Sequence, residues 1–233
     1  LREHAWMHPD VILMSNLPEG NGLFTKTPLK HNTTILRVPI SLQLTVESSK
    51  ELLGSLGSLE NLSDVEILSL RLLWEDCAVE NSLYRPYLNT LPSETPPLLF
   101  TFSNEELDLV DDVTLKQFGQ QMRSRVHDIW NRFEERLMAL NSTCMSLTTL
   151  ERLFAVASSH SMHIDGTTRI VPMADAINHK VNPPNDHVFS DYHILDEDDT
   201  IHVQTDRVIG SNEQIYEEYD RMDNSLHLAF FGF

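Results

Sequence analysis

Cysteine is scarce in this chain, and that scarcity limits the kinds of site the sequence can build. The 233 residues contain two cysteines, Cys77 and Cys144. Two are too few for a disulfide framework or a four-cysteine zinc site, although they can form a single bridge. The chain also lacks any Gly-x-Ser-x-Gly sequence, the turn that presents the nucleophile of many serine hydrolases. A four-cysteine zinc site is therefore excluded, and a serine hydrolase of that kind is not expected.

Basic residues are also few. Lysine and arginine number 17 against 35 acidic residues, which gives a formal net charge of −18. Proteins that hold nucleic acid without sequence preference use cations that neutralise phosphates, so direct nucleic-acid binding is not expected. An acidic surface can instead steer a basic protein or peptide substrate toward a site. An acidity that serves only solubility explains the same composition equally well.

Long hydrophobic runs are absent as well. Crossing a bilayer takes about 20 consecutive apolar residues, and every apolar stretch here is broken sooner by charge or proline. No membrane span is expected, and a hydrophobic content of 41% is ordinary for a globular protein. The first residue is Leu1 and not methionine, so we expect a trimmed part of a longer protein, and its compartment is left open.

Strand patterns occur in two separate stretches of the chain. The first runs from Gly22 to Val46, where β-branched residues are frequent and prolines break the pattern. The second comprises residues 168–173, 186–195 and 200–204. The last two are joined by the acidic turn 196–199, so the sequence predicts a hairpin there.

Helical patterns fill the stretch between these strands. One long amphipathic helix is predicted by apolar residues that recur every three or four positions: Leu115, Phe118, Met122, Val126, Ile129, Phe133, Leu137 and Leu140. Ser103 and Glu106 have the spacing of a capping box at a helix start. Thr148 and Glu151 repeat that spacing and predict a further helix that runs to about His160. The order of strands, helices and strands predicts an α+β fold interrupted by a helical insertion.

Four short segments carry most of the functional information. They are residues 19–24 (EGNGLF), 172–179 (PMADAINH), 213–219 (EQIYEEY) and 224–233, which ends in Gly-Phe. Each is weak alone, because a Gly-x-Gly is usually an ordinary tight turn and an Asn-His pair usually a satisfied one. In this order they resemble the SET domain, and specifically its Rubisco large-subunit methyltransferase-like branch. Residues 84–92 and 102–107 look like the helical insertion of that branch.

The resemblance implies a division of the chain and a fold. Residues 1–62 and 148–233 would form the two parts of a SET core, and residues 63–147 the helical insertion. The core would have several β-sheets and a pseudoknot-like C-terminal segment. That threading comes from the resemblance, because periodicity in a sequence does not reveal how a chain passes under a loop.

The resemblance also implies a cofactor, S-adenosylmethionine. By resemblance its binding residues are Glu19, Asn21, Gly22, Leu23, Phe24, Asp175, Asn178, His179, Tyr219 and Phe231. No metal ion is expected, because the available histidine and aspartate spacings are poor ligand sets. The two sets that can be assembled on paper are His160, His163 and Asp165, and His179, Asp186 and His187.

Tyr219 is the residue to which the resemblance assigns a catalytic role. Methyl transfer from a sulfonium to an amine needs a neutral nucleophile aligned with the methyl group, so positioning and desolvation contribute most. A tyrosine hydroxyl can orient the incoming nitrogen, and its ring can face the positive charge. Without the flanking motifs, a half-buried strand tyrosine would be the better interpretation.

The function implied is that of a protein N-methyltransferase acting on a lysine side chain, with histidine as a less favoured acceptor. Two departures from the resembled branch keep a second hypothesis open. Met162 occupies the place where an arginine commonly holds the cofactor carboxylate, and Asp220 replaces the glycine that usually follows the tyrosine. The second hypothesis is a catalytically degenerate SET fold that acts as a protein-interaction module.

Overall fold

The computed structural model describes residues 5–17, 20–141, 143–180, 191–219 and 224–232. The chain divides into two compact units, each built from two separate segments. The first unit comprises residues 1–44 and 162–221, and the second comprises residues 45–161 and 222–233. The described strands belong mainly to the first unit and the α-helices to the second, which confirms the predicted α+β class.

The described strands are short, and only the end of β5 passes into the second unit. In chain order they are β1 (Trp6–Met7), β2 (Val11–Leu17), β3 (Gly20–Thr25), β4 (Thr34–Pro39), β5 (Leu44–Thr45), β6 (Met162–Ile164), β7 (Thr167–Ile170), β8 (Asn178–His179), β9 (Tyr192–Glu197), β10 (Thr200–Thr205) and β11 (Tyr216–Glu217). The β region predicted from Gly22 to Val46 thus contains β4, β5 and most of β3.

The largest sheet has the strand order β1-β4-β10-β9, and its pairs are antiparallel. Its register places Ile201 opposite Val38 and Val203 opposite Leu36, and all four side chains are buried. Alternate residues of β10 therefore face the core, as expected for a strand with one buried face.

The hairpin predicted around residues 196–199 is confirmed. β9 pairs antiparallel with β10, and Glu197 stands opposite Thr200. The two residues between them, Asp198 and Asp199, have φ angles of 51° and 58°. Two consecutive positive φ angles are typical of the tight turn whose twist matches that of the flanking strands. Residues 186–190, at the start of the predicted strand, lie outside the described residues.

Smaller sheets complete the strand pairing that the structure describes. β2 and β3 form an antiparallel hairpin, and β6 and β7 form another. β8 and β11 pair in parallel, with Tyr216 opposite Asn178. Parallel strands cannot be joined by a tight turn, so the chain makes the β9–β10 hairpin before it returns to lie beside β8.

The core of the first unit is mainly aliphatic. Its buried members are Val11, Leu23, Leu29, Ile35, Leu36, Val38, Ile164, Val171, Ala174, Ile177, Tyr192, Ile201, Val203, Ile209 and Ile215. Each Val, Leu or Ile contributes about 1.5–3 kcal/mol relative to leaving it in water. Tyr192 is the polar exception, and its hydroxyl finds the partner that a buried phenol needs, the carboxylate of Glu217.

The second unit is built from helices. They are α1 (Val46–Leu53), α2 (Asp64–Cys77), α3 (Arg85–Leu88), α4 (Asn104–Asp108), α5 (Val113–Leu140), α6 (Leu147–His160) and α7 (Asn224–Phe231). The long amphipathic helix predicted over residues 115–140 is confirmed as α5. Over the described part of the chain, no helix has both the length and the apolar composition of a membrane span.

Helix starts in this unit follow capping rules, with one correction to the sequence prediction. The Ser103 hydroxyl accepts from the Glu106 N–H and the Glu106 carboxylate accepts from the Ser103 N–H, so that capping box is confirmed. The box predicted at Thr148 and Glu151 is wrong. α6 begins earlier, because the Ser146 hydroxyl already accepts a backbone N–H of the first turn.

A disulfide links Cys77, the last residue of α2, to Cys144, which precedes α6. Their Cα atoms are 5.4 Å apart, a normal separation for a bridged pair. The Asn141 side-chain nitrogen donates to the Cys77 carbonyl at 2.8 Å and supports the same junction. α2 and α6 also pack directly against each other, and both carry buried leucines.

The compact units do not coincide with the division predicted from the sequence. Their boundaries fall at residues 44–45 and 161–162, whereas the sequence placed boundaries at 62–63 and 147–148. The assignment of residues 63–147 as an insertion into a SET core stays a prediction.

The disulfide generates a prediction about stability. It closes a loop with a sequence separation of 67 residues, and the chain-entropy treatment of such a loop gives up to about 4 kcal/mol. We expect the Cys77→Ser/Cys144→Ser double variant to lose up to that amount in free energy of unfolding, measured by urea denaturation. Dithiothreitol should lower the wild-type midpoint toward that of the variant and leave the variant unchanged. A wild-type denaturation midpoint that does not change with dithiothreitol would contradict the Cys77–Cys144 disulfide.

Candidate functional site

The parallel pair β8–β11 brings two of the sequence motifs side by side. Tyr216 stands opposite Asn178, and Glu217 stands opposite His179. The Lys180 N–H continues the ladder by donating to the Glu217 carbonyl at 2.8 Å. The Asn-His motif and the tyrosine-containing motif therefore meet along one two-stranded ribbon.

The glycine-containing strand β3 joins this ribbon through the backbone. Phe24 forms an antiparallel bridge with Gln214. The Ile215 N–H donates to the Leu23 carbonyl at 2.9 Å. Three motifs that are far apart in sequence thus share one hydrogen-bonded junction within the first unit.

Gly22 lies in this junction, and its missing side chain matters. A Cβ atom there would lie 2.7 Å from Nε2 of Gln214 and 3.0 Å from Nδ2 of Asn178. Both separations are shorter than a normal van der Waals contact of about 3.5 Å, so a larger residue would displace these amides. The Asn178 amide is itself anchored, because its Nδ2 donates to the Asn21 carbonyl at 2.9 Å.

Tyr219 is held at both its backbone and its hydroxyl. Its N–H donates to Nδ1 of His179 at 2.9 Å, and its hydroxyl donates to the Ile177 carbonyl at 2.6 Å. The His179 and Tyr219 rings have centroids 5.2 Å apart and planes inclined by 42°. Because Nδ1 of His179 accepts a hydrogen bond, the neutral imidazole carries its proton on Nε2.

Burial and two acidic groups control the ionisation of Tyr219. Burial raises the pKa of its phenol, and the Glu217 and Asp175 carboxylates raise it further because they repel a phenolate. The pKa of the Glu217 carboxyl is also raised, mainly by burial, even though the Tyr192 hydroxyl donates to it at 2.5 Å. Tyr219 therefore stays a neutral phenol throughout the physiological pH range.

The structure brings most of the predicted site residues into the first unit. Those described there are Asn21, Gly22, Leu23, Phe24, Asp175, Asn178, His179 and Tyr219. Asp175 is half-buried in the short 3-10 turn Ala174–Ala176, just before β8.

Two other predicted residues fall elsewhere. Phe231 belongs to α7 of the second unit, where its ring centroid is 5.8 Å from that of His227. Glu19 lies outside the described residues. Their membership of the site stays a prediction.

The two departures noted in the sequence have different outcomes. Met162 begins β6 opposite Arg169, and its side chain packs against the aliphatic core. The Arg169 guanidinium forms an ion pair with Asp196 at 3.1 Å and donates to Oε1 of Gln43 at 3.0 Å. Arg169 therefore does not supply the positive charge that an arginine at position 162 would provide. Asp220 lies outside the described residues.

Two polar residues of this region were not assigned from the sequence. Gln214 is 7% exposed, and its Oε1 accepts from the Tyr216 hydroxyl at 2.9 Å. Its Nε2 is buried and has no hydrogen-bond partner among the described residues. Glu217 is the second. The sequence signal is a polar residue beside buried Ile215, but only the pairing with β3 shows that the Gln214 amide faces Gly22.

The chemistry of the site is that of amides, an imidazole and a phenol. Such groups donate hydrogen bonds to the oxygen and nitrogen acceptors of a polar organic ligand. Within the part of the chain that the structure describes, no three histidine, cysteine, aspartate or glutamate side chains are grouped as metal ligands. Asp186 and His187, which belong to one of the two ligand sets considered from the sequence, lie outside the described residues.

Comparisons with known proteins extend over most of the chain. The family model described as SET domain matches residues 20–220. The actin-histidine N-methyltransferase of Canis lupus familiaris is 32% identical over 120 residues, which cover 50% of this chain and 18% of that protein. The chloroplastic ribulose-1,5-bisphosphate carboxylase/oxygenase large subunit N-methyltransferase of Nicotiana tabacum is 25% identical over 171 residues, which cover 70% and 34%.

Solved structures show the same fold. The crystal structure of the SET domain of LSMT bound to lysine and AdoHcy is similar with a TM-score of 0.77, at 21% identity over 96% of this chain and 52% of that one. A second, bound to MeLysine and AdoHcy, has a TM-score of 0.79 over 98% and 53%. The predicted SET fold is thereby confirmed. The aligned parts are at most about a third of the two curated relatives' own lengths.

The buried Glu217 carboxyl generates a prediction about pH. Its pKa is raised on folding, so the folded chain binds its proton more tightly, and stability falls as pH rises through the folded-state pKa. Below the ordinary value of 4.5 this penalty is absent. Glu217→Gln keeps an oxygen acceptor for Tyr192, so we expect its Tm to match the wild type near pH 4 and exceed it at pH 8, by scanning calorimetry.

The matched control is Glu197→Gln, which changes an exposed glutamate of β9 in the same unit. Its Tm difference from the wild type should be the same at both pH values. A Glu217→Gln difference that is also independent of pH would contradict the raised pKa.

Proposed function

Because this chain belongs to the SET domain family, we propose that it is a protein N-methyltransferase that moves a methyl group from S-adenosylmethionine to a lysine side chain. The observation that carries the proposal is the hydrogen-bonded cluster of Asn178, His179 and Tyr219 beside strand β3. This cluster unites the three motifs of the first unit at a place where one residue has no side chain.

The residues of the cluster fit the proposed cofactor. S-adenosylmethionine supplies a methyl group bound to a positively charged sulfur. The missing Cβ of Gly22 lets the Asn178 amide lie close to the β3 backbone, and amide and imidazole groups can donate to the polar atoms of the cofactor. The residues proposed to hold the cofactor are Glu19, Asn21, Gly22, Leu23, Phe24, Asp175, Asn178, His179, Tyr219 and Phe231.

Tyr219 would position the acceptor nitrogen. Its hydroxyl proton is donated to Ile177, so what the phenol offers an incoming amine is the acceptor side of its oxygen. An amine N–H donated to that oxygen would direct the nitrogen lone pair, and effective alignment is the main requirement of this displacement. The raised phenol pKa argues against Tyr219 as a base, since a phenol that stays protonated is a weak proton acceptor.

The lysine must lose a proton before it reacts. Burial of Tyr219 and Glu217 supports a partly dehydrated site, and desolvation favours the neutral form of an ammonium. The net charge of −18 supports a basic protein or peptide as substrate, because an acidic surface attracts it and raises the rate of encounter. The ammonium proton would leave to water before the methyl group moves.

Two alternatives define the outcomes of the test. Histidine is the other candidate acceptor, because its neutral imidazole is also a nitrogen nucleophile. A noncatalytic interaction module is the other candidate function. Two observations favour it. The uncharged Met162 stands where the resembled branch commonly has an arginine, and Arg169 opposite it forms an ion pair with Asp196.

The first prediction concerns cofactor binding. We expect the chain to bind S-adenosylmethionine in calorimetric titration, and Asn178→Ala to weaken binding at least about tenfold, since it removes one hydrogen-bonding amide worth about 1.4 kcal/mol. Asn131→Ala, at an exposed position of α5, should bind like the wild type. A folded wild type that binds no S-adenosylmethionine would contradict the enzyme and favour the module.

The second prediction concerns turnover. We expect methyl-labelled S-adenosylmethionine and a protein extract to give labelled methyllysine after acid hydrolysis. Tyr219→Phe should lower the labelling rate about tenfold or more, because the positioning hydroxyl is lost, while cofactor affinity stays near the wild-type value. Tyr84→Phe, a buried tyrosine of the second unit, is the control and should label normally.

The labelled amino acid separates the remaining possibilities. Labelled methylhistidine would contradict lysine as the acceptor and leave the methyltransferase proposal standing. A Tyr219→Phe variant as active as the wild type would contradict the positioning role. No label from a chain that binds the cofactor would favour the interaction module.

A further inference from the structure

One side chain of the junction has a buried hydrogen-bond donor without a partner among the described residues. Gln214 is 7% exposed, and its Nε2 is buried without a hydrogen-bond partner among the described residues. Buried amide groups are nearly always hydrogen-bonded, so an exception needs a specific explanation. A bound ligand is one such explanation when the group lies beside residues that are proposed to bind that ligand.

The orientation of the Gln214 amide is fixed from its other end. Its Oε1 accepts from the Tyr216 hydroxyl at 2.9 Å, which directs Nε2 toward β3. The backbone of Gln214 is also fixed, because it bridges Phe24. The donor therefore does not depend on a loose surface rotamer, and little conformational entropy would be lost when it binds a ligand.

Nε2 of Gln214 lies against the backbone of Gly22 and beside the Asn178 amide. The position of a Cβ on Gly22 would be 2.7 Å from Nε2 of Gln214 and 3.0 Å from Nδ2 of Asn178. Two amide nitrogens thus lie close together beside one glycine, and Cδ1 of Leu17 lies 3.0 Å from the same Cβ position. Two groups with the same polarity repel each other slightly, and an acceptor atom bound between or beside them would satisfy both.

We propose that Nε2 of Gln214 donates a hydrogen bond to the S-adenosylmethionine cofactor, which makes Gln214 a further binding residue of the site. This inference rests on the proposed function. The partner is an oxygen or nitrogen acceptor, which either the amino-acid carboxylate or the adenosine part of the cofactor can provide.

The test compares Gln214→Met with Gln43→Met. Methionine has a similar length but no donor. Gln43 is the matched control because it is also buried in the first unit, yet both ends of its amide are satisfied, by the Val38 carbonyl at 2.8 Å and by Arg169 at 3.0 Å. Affinity for S-adenosylhomocysteine is measured by calorimetric titration, and Tm by calorimetry without ligand.

We expect Gln214→Met to weaken S-adenosylhomocysteine binding about tenfold, the usual scale of one hydrogen bond, with a small change in ligand-free Tm. Gln43→Met should show the reverse, a clear loss of Tm and nearly unchanged affinity. Gln214→Glu, which has the same shape, keeps the inference testable if the methionine variant does not fold, and it should also weaken binding.

Methylthioadenosine, which lacks the amino-acid part, distinguishes the two sources of the acceptor. If the Gln214 variant loses affinity for both ligands, the acceptor lies in the adenosine part, and if only for S-adenosylhomocysteine, in the carboxylate. Either result supports the inference. A folded Gln214 variant that binds S-adenosylhomocysteine like the wild type would overturn it and leave the proposed function intact. A wild type that binds neither ligand would overturn both.

Discussion

The parallel pairing of β8 with β11 is the constraint on which the site depends. It places the Asn-His pair beside the strand that leads to Tyr219, and it holds both against β3 through backbone hydrogen bonds. No single motif could do this alone, because each contributes only two or three residues. The short strands are stable together because the buried aliphatic side chains beneath them form one core.

This constraint also explains the electrostatics. Strand β11 pairs with β8, and its residues Tyr216 and Glu217 are half-buried there. Glu217 accepts from the Tyr192 hydroxyl and Tyr219 donates to the Ile177 carbonyl, and burial nevertheless raises the pKa of both groups. A site made this way keeps its acids protonated more readily than one on an exposed loop.

The sequence predicted the parts of the fold that local chemistry controls. The long helix α5, the β9–β10 hairpin and the capping box at Ser103 all depend on residues close in sequence, and all three are confirmed. The start of α6 was misplaced because Ser146 and Thr148 are both good capping residues, and spacing alone does not choose between them. The predicted residues of β3 and β8 lie close to Tyr219, which follows β11, and their role as a site stays a prediction. The buried amide nitrogen of Gln214, which has no partner among the described residues, could not be foreseen, because sequence alternation indicates burial but not hydrogen-bond partners.

The first unit is assembled from two distant segments, which has a consequence for how the protein is made. Asn21 and Tyr219 are separated by 219 − 21 = 198 positions along the chain. During synthesis the glycine-containing strand β3 emerges early. The segment that hydrogen-bonds to it, residues 214–215, follows only after most of the helical unit has been made. Contacts of such long range form late and slowly. A ribosome that stops before residue 216 therefore releases a chain that contains β3 but lacks β11 and Tyr219.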